Sequence, residues 1–170
     1  MISVSVVDEQ TYVRLSRARI VEAVRTALES AGLHRARMTV ALIDDAHIQE
    51  LNRRFLNHDE PTDVLSFPMG SSRRGIEGEI VVSAQRASAV ADQYGWTPEE
   101  ELLLYIIHGA LHLAGFDDAA PREQSRMRRQ EALCLKRLGI TIPSASKGRR
   151  RKRNRRRQDS SFLQRKKTVR

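Results

Sequence analysis

Cysteine is almost missing from this chain. Cys134 stands alone among 170 residues, which excludes an internal disulfide framework and a cysteine-rich zinc finger and fits a reducing cytoplasm. Long apolar runs are missing as well. No stretch approaches the roughly 18 to 20 apolar residues of a membrane span. Met1 to Glu9 lacks the basic segment and apolar run of a signal peptide. These absences predict a cytoplasmic protein with no membrane partner. The length suits one domain with a sizeable core, and no internal repeat is evident.

Excess positive charge is absent from the body of the chain, although the net charge is +9. Residues 144–170 hold 13 Lys or Arg against one acid, Asp159, whereas residues 1–143 hold 17 basic and 20 acidic groups. The division predicts a mildly acidic domain over 1–143 and a basic, disordered tail over 144–170. The tail repels itself and has almost nothing to bury. Its arginines suit phosphate oxygens, so RNA is the expected partner, with salt-dependent and largely sequence-independent binding.

Periodicity predicts the order β-α-β-α-β-β-α-α-α. Ile2 to Val7 alternates like a strand, and Ser16 to Ala31 reads as an amphipathic helix stopped by Gly32. Met38 to Ile43 is an apolar run of strand length, expected to be buried on both faces. Asp44 or Asp45 caps a helix whose Ile48, Leu51 and Phe55 form a core-facing stripe. Leu56 to Thr62 is a polar loop. Asp63 to Pro68 then reads as a strand closed by proline, at an edge or at the strand's end. Met69 to Gly75 reads as a mobile hairpin connection and Gly78 to Val82 as the next strand. Ser83 caps a helix to about Tyr94, ended by Gly95. Pro121 to Leu138, with Met127, Leu133, Leu135 and Leu138, is the last helix. The sum is an α+β fold: a small mixed sheet of about four strands with about five helices packed on it.

The chemistry is concentrated in one helix and the turn after it. Thr97-Pro98-Glu99-Glu100 carries an N-cap threonine, proline at the first helical position and a glutamate that completes a capping box. Leu102, Leu103, Ile106, Ile107, Leu111 and Leu113 make this helix apolar around much of its circumference, hence central and buried. His108 and His112, four apart, share one face. Gly115 can end the helix in a left-handed conformation and turn the chain back. Asp118 follows six residues after His112. The spacing matches a zincin-like H-E-x-x-H-x-x-G-x-x-H pattern, with Asp118 at the third-ligand position. Gly109 replaces the glutamate that serves as general base in metalloproteases, so peptidase chemistry is disfavoured. Two His and one carboxylate form an accepted catalytic zinc set. The expectation is one Zn²⁺ per chain, with another divalent ion as the alternative. Asp117 is the rival third ligand, or else a cap of the turn.

Other chemistry-bearing residues read more plainly. His34 and His47 are expected to be exposed, Cys134 and Tyr105 to pack. His58, in the loop before the Asp63 strand, is a candidate for substrate contact or proton transfer. With no glutamate at 109, the proton acceptor stays open among a metal-held hydroxide, Asp117 and a hydroxyl of the substrate.

Leu51-Asn52, Asp59-Glu60-Pro61-Thr62-Asp63-Val64-Leu65-Ser66-Phe67-Pro68, Gly78-Glu79-Ile80 and His108 to Asp118 occur in an order that resembles the YbeY family of bacterial rRNA maturation factors. The resemblance runs from about residue 1 to 140. It implies a zinc-dependent, single-strand-specific endoribonuclease that acts in 16S rRNA 3′-end maturation and ribosome quality control. Its implied partners are rRNA, the small ribosomal subunit and assembly proteins. The alternative is a non-catalytic, metal-containing ribosome-assembly factor that binds RNA. Two positions depart from the family pattern. Its third ligand is commonly histidine where Asp118 stands, and Leu56 stands where many members carry an RNA-holding arginine. Arg53, Arg54, His58 and Ser66 are the substrate-binding candidates here.

Overall fold

A computed structural model describes residues 1–72 and 75–143. The basic tail and Arg73-Arg74 of the expected hairpin connection lie outside the described residues. Four strands, β1 (Ile2–Asp8), β2 (Ala36–Ile43), β3 (Val64–Ser72) and β4 (Gly75–Ser83), form one mixed sheet in the order β1-β2-β4-β3. The β1/β2 and β2/β4 pairs are parallel, and β3 runs antiparallel to β4 at the edge. Among the described residues five helices accompany it: α1 (Arg17–Ser30), α2 (Asp45–Leu56), α3 (Ala84–Val90), α4 (Pro98–Leu113) and α5 (Pro121–Arg137). The α+β expectation is met.

Pairing by twos along the strands divides the sheet into two covered faces. Met38, Val40, Leu42, Val64, Ile80 and Val82 join the main core beneath α1, α4 and α5. Ala41, Ile43, Leu65, Phe67 and Val81 pack on the other face against Ile48 and Leu51 of α2. β2 is therefore covered on both sides, as its apolar run predicts. The caps expected at Asp44, Ser83 and Thr97 form, and Ser16 adds another. Ser16, Asp44, Ser83 and Thr97 each accept a backbone N–H at the start of their helices, and Thr97 with Glu100 closes a capping box. After α3 the chain tightens into a 3-10 turn, Ala91–Tyr94, and Gly95 leaves it with φ +72°.

Three expectations are corrected. β3 does not stop at Pro68 but continues to Ser72, and a register shift between Pro68 and Gly70 takes up Met69 as an extra residue. Proline is tolerated on an edge strand, and the bulge restores the ladder beyond it. The segment read as a loop is thus mostly strand, and β4 begins at Gly75. Second, Phe55 does not face the core: it is 46% exposed. The buried stripe of α2 is Ile48 and Asn52, with the Asn52 amide donating to the Glu60 carbonyl at 2.8 Å. Phe55 lies in the last turn and meets the edge strand, its ring edge-to-face with Phe67 at 5.4 Å. Third, Leu133 is exposed, because the buried face of α5 runs Met127, Glu131, Cys134, Leu135, Leu138. Leu133 falls outside that stripe on a helix of 3.6 residues per turn.

Candidate metal centre

α4 is the axis of the main core, with every residue from Glu101 to Leu111 buried. It lies so close to the sheet that a Cβ on Gly109 would come within 2.8 Å of Ile80 Cγ2 and 3.0 Å of Ser66 Oγ and Val64 Cγ2. A side chain at that position would have to displace its neighbours, so close packing favours glycine where the peptidase pattern has its general base. Ser66 Oγ donates to the Gly109 carbonyl at 3.2 Å and ties edge strand β3 to the helix beside His108.

The C-terminal end of α4 reverses through a Schellman motif. Phe116 N–H donates to the Leu111 carbonyl and Gly115 N–H to that of His112, both at 3.0 Å, with Gly115 at φ +94°. Asp117 then organises the next turn: its Oδ1 accepts the N–H of Asp118 at 2.6 Å and of Ala119 at 3.1 Å. This is the capping role, and it presents Asp118 to the helix.

His108, His112 and Asp118 converge as the spacing predicts. One ligand atom from each lies within 4.8 Å of the others, and the group can hold a metal ion. The two imidazole Nε2 atoms stand 2.8 Å apart, and His112 Nε2 lies 3.5 Å from Asp118 Oδ1. His108 is buried, whereas the other two side chains are each 17% exposed. Two imidazole nitrogens and a carboxylate oxygen directed at one another suit a cation at their centre.

Glu131 is the residue that reading the sequence missed. It reaches from α5 to His108, its Oε1 2.6 Å from Nδ1, and both side chains are buried. An ionised carboxylate can only accept, so with Glu131 charged the proton of this bond would sit on Nδ1 and Nε2 would be left to face His112 and Asp118. A signal was available in the sequence, since Glu131 is the one acid on the stripe Met127, Cys134, Leu135, Leu138. An acid on an apolar face implies a buried partner.

The remaining candidates sit elsewhere. Arg53 and Arg54 are exposed on α2, which covers the sheet face opposite α4, and the Arg54 guanidinium lies over the Phe55 ring at 5.4 Å. His58 is half-buried in the loop after α2. His47 is exposed and bonded to Asp44, and Tyr105 is buried, both as expected. Cys134 is fully buried, and burial raises its thiol pKa, so it serves as a small core residue rather than a nucleophile.

Residues 4–139 match the family model described as Endoribonuclease YbeY. The Endoribonuclease YbeY of Rhodopirellula baltica is 41% identical over 130 residues, covering 75% of this chain and 67% of the relative. That of Desulfitobacterium hafniense is 37% identical over 131 residues, covering 71% of this chain and 82% of the relative. Among solved structures, the solution structure of a Thermotoga maritima protein is similar with a TM-score of 0.55 at 25% identity, over 87% of this chain and all of that one.

Proposed function

The chain belongs to the YbeY endoribonuclease family, and from that membership we propose that it is a zinc-dependent endoribonuclease of the cytoplasm. Its substrate is single-stranded RNA, and its task is 16S rRNA 3′-end maturation and ribosome quality control. The observation that carries the reading is the convergence of His108, His112 and Asp118 on one point at the end of a buried helix. The set favours zinc, because two imidazoles and a carboxylate match its borderline character, whereas magnesium and calcium take oxygen ligands. When bound, a zinc ion supplies Lewis acidity that polarises a phosphodiester oxygen and makes water a stronger nucleophile near neutral pH.

The chain's own residues do the rest. α4 holds the two histidines in register, Gly115 and Asp117 shape the turn that presents Asp118, and Ser66 fixes β3 against the helix. Arg53 and Arg54, with His58, are the proposed contacts to the RNA chain away from the metal centre. The open edge of β3 is the proposed track along which the strand passes. We assign residues 1–143 to the nuclease domain. The tail of 144–170 is assigned to RNA phosphates on the small ribosomal subunit and its assembly factors. Gly109 supplies no base, so the proton acceptor stays open among a metal-held hydroxide, Asp117 and a 2′-hydroxyl of the substrate.

Metal analysis together with cleavage of single-stranded rRNA fragments by wild type and His108→Ala tests the proposal. Wild type retains about one zinc per chain and cleaves; the variant loses both properties. Equal cleavage by His108→Ala assigns the activity to another site. Bound zinc without cleavage by wild type favours the non-catalytic assembly factor. Ends bearing 2′,3′-cyclic phosphate identify the 2′-hydroxyl as nucleophile and exclude attack by water.

A further inference from the structure

Glu131 stands 23 residues from His108 in sequence, on a different helix, and belongs to none of the motifs that carry the family resemblance. We infer that Glu131 is the positioning residue of the metal centre: by accepting the Nδ1 proton of His108, it holds the ring in the tautomer and orientation that present Nε2 to a cation. The inference rests on the reading of His108, His112 and Asp118 as ligands.

Three observations carry it. The Oε1–Nδ1 separation of 2.6 Å falls at the short end of the range, as expected of a charge-assisted bond. The two side chains are 3% and 7% exposed, so water does not compete for the contact. Glu131 also occupies a position on the buried face of α5 where an apolar side chain would join the core, and a carboxylate there is costly without a specific partner. Its partner is the buried histidine of the pair. A neutral imidazole carries a single N–H. Placing it on Nδ1 leaves the Nε2 lone pair aimed at His112 Nε2, 2.8 Å away. Moved to Nε2, the same proton would point into the metal position and leave the Glu131 carboxylate buried opposite a bare nitrogen. α5 thereby enters the metal centre without contributing a ligand. Partners of this kind fix the ring of a ligating histidine and raise its basicity.

Histidine ¹⁵N chemical shifts of the metal-free protein at pH 8, and zinc affinity by chelator competition, test this in wild type, Glu131→Gln and Glu131→Ala. In wild type, His108 shows a protonated Nδ1 and a bare Nε2. In Glu131→Ala the Nε2-protonated form grows, and zinc binds about 10- to 100-fold more weakly. Glu131→Gln keeps the size and an accepting oxygen but not the charge, so its loss is intermediate and its metal-free melting temperature stays near that of wild type. An unchanged tautomer and unchanged zinc affinity in Glu131→Ala, with only a lower melting temperature, would reduce Glu131 to a packing residue and overturn the inference. If wild type binds no zinc, the metal reading fails, and the tautomer measurement still decides whether Glu131 orients the ring.

Discussion

Ser66 and Gly109 lock the edge of the sheet to α4: the serine hydroxyl donates to the glycine carbonyl at 3.2 Å, and the serine oxygen stands 3.0 Å from where a Cβ on residue 109 would sit. Two demands meet at Gly109. A glycine inside a helix costs about 1 kcal/mol relative to alanine, so α4 accepts that loss to lie this close to β3 and β4.

Gly109→Ala should therefore destabilise the protein despite its better helix propensity. The added methyl meets Ile80 Cγ2 at 2.8 Å and Val64 Cγ2 at 3.0 Å, both branched groups near their own backbones with little freedom to withdraw. Overpacking of this kind costs about 1–3 kcal/mol. After the propensity gain, a net loss of up to about 2 kcal/mol is expected in urea denaturation. Equal or higher stability of Gly109→Ala would show that the sheet yields, and that the glycine is not there for close approach.

What the sequence disclosed and what it hid follow a physical line. Thr97, Glu100 and Gly115 act within one turn of the residues they cap, so the limits of α4 and the shared face of His108 and His112 were readable locally. Asp118 was readable for the same reason, being one turn beyond the glycine. Contacts between distant elements left weaker traces. Parallel pairing of β4 with β2 across an intervening helix and hairpin has no local signature. Glu131 looks like any surface acid until the phase of α5 is set by Met127 and Cys134. Phe55 and Leu133 failed as core residues because hydrophobicity alone does not tell where a partner surface ends. α2 overhangs the edge strand at Phe55, and Leu133 lies off the stripe of α5.

The cap of α2 gives the fold a pH signature. The N–H of His47 and then its imidazole hold the Asp44 carboxyl below its ordinary value of 3.8, and the hydrogen bond with Asp44 raises His47 above 6.5. A depressed acid contributes stability above its ordinary value and loses it as pH falls through the lowered one. A raised histidine contributes fully below 6.5 and loses the effect as pH climbs through the raised one. The advantage of wild type over Asp44→Ala should therefore peak between about pH 4 and 6.5. It should shrink at pH 8 to the capping term, about 1 kcal/mol. Melting temperatures of both proteins from pH 3 to 8 check this. A pH-independent difference would show that the His47 contact adds nothing.

The basic tail should act through counterion release. A chain truncated after Pro143 is without all 13 Lys and Arg of residues 144–170. Its affinity for single-stranded RNA should fall, and the slope of log K against log salt should flatten by about 0.7 for each phosphate that the tail no longer neutralises. Cleavage of a short substrate at saturating concentration should be nearly unaffected. Fluorescence anisotropy across a salt series measures the slope, and an unchanged slope after truncation would assign RNA binding to the domain alone.

Asp118 is the proposed third ligand, at the position where the family resemblance implies a histidine. Asp118→Ala removes one of three donors and should weaken zinc binding and cleavage by on the order of 100-fold, at least as much as the loss of an outer hydrogen-bond partner. Asp118→His is the more informative change. It keeps three donors but replaces a carboxylate with a neutral imidazole, so the net positive charge of the loaded centre rises by one. Water held there becomes more acidic, and the rising limb of the pH profile of kcat/KM should move to lower pH. The shift is expected with metal content preserved, because imidazole is an ordinary zinc ligand. A limb that stays in place at full metal occupancy would mean that the group titrating in that limb is not water at this centre, and would move the search for the proton acceptor to Asp117 or the substrate's own 2′-hydroxyl.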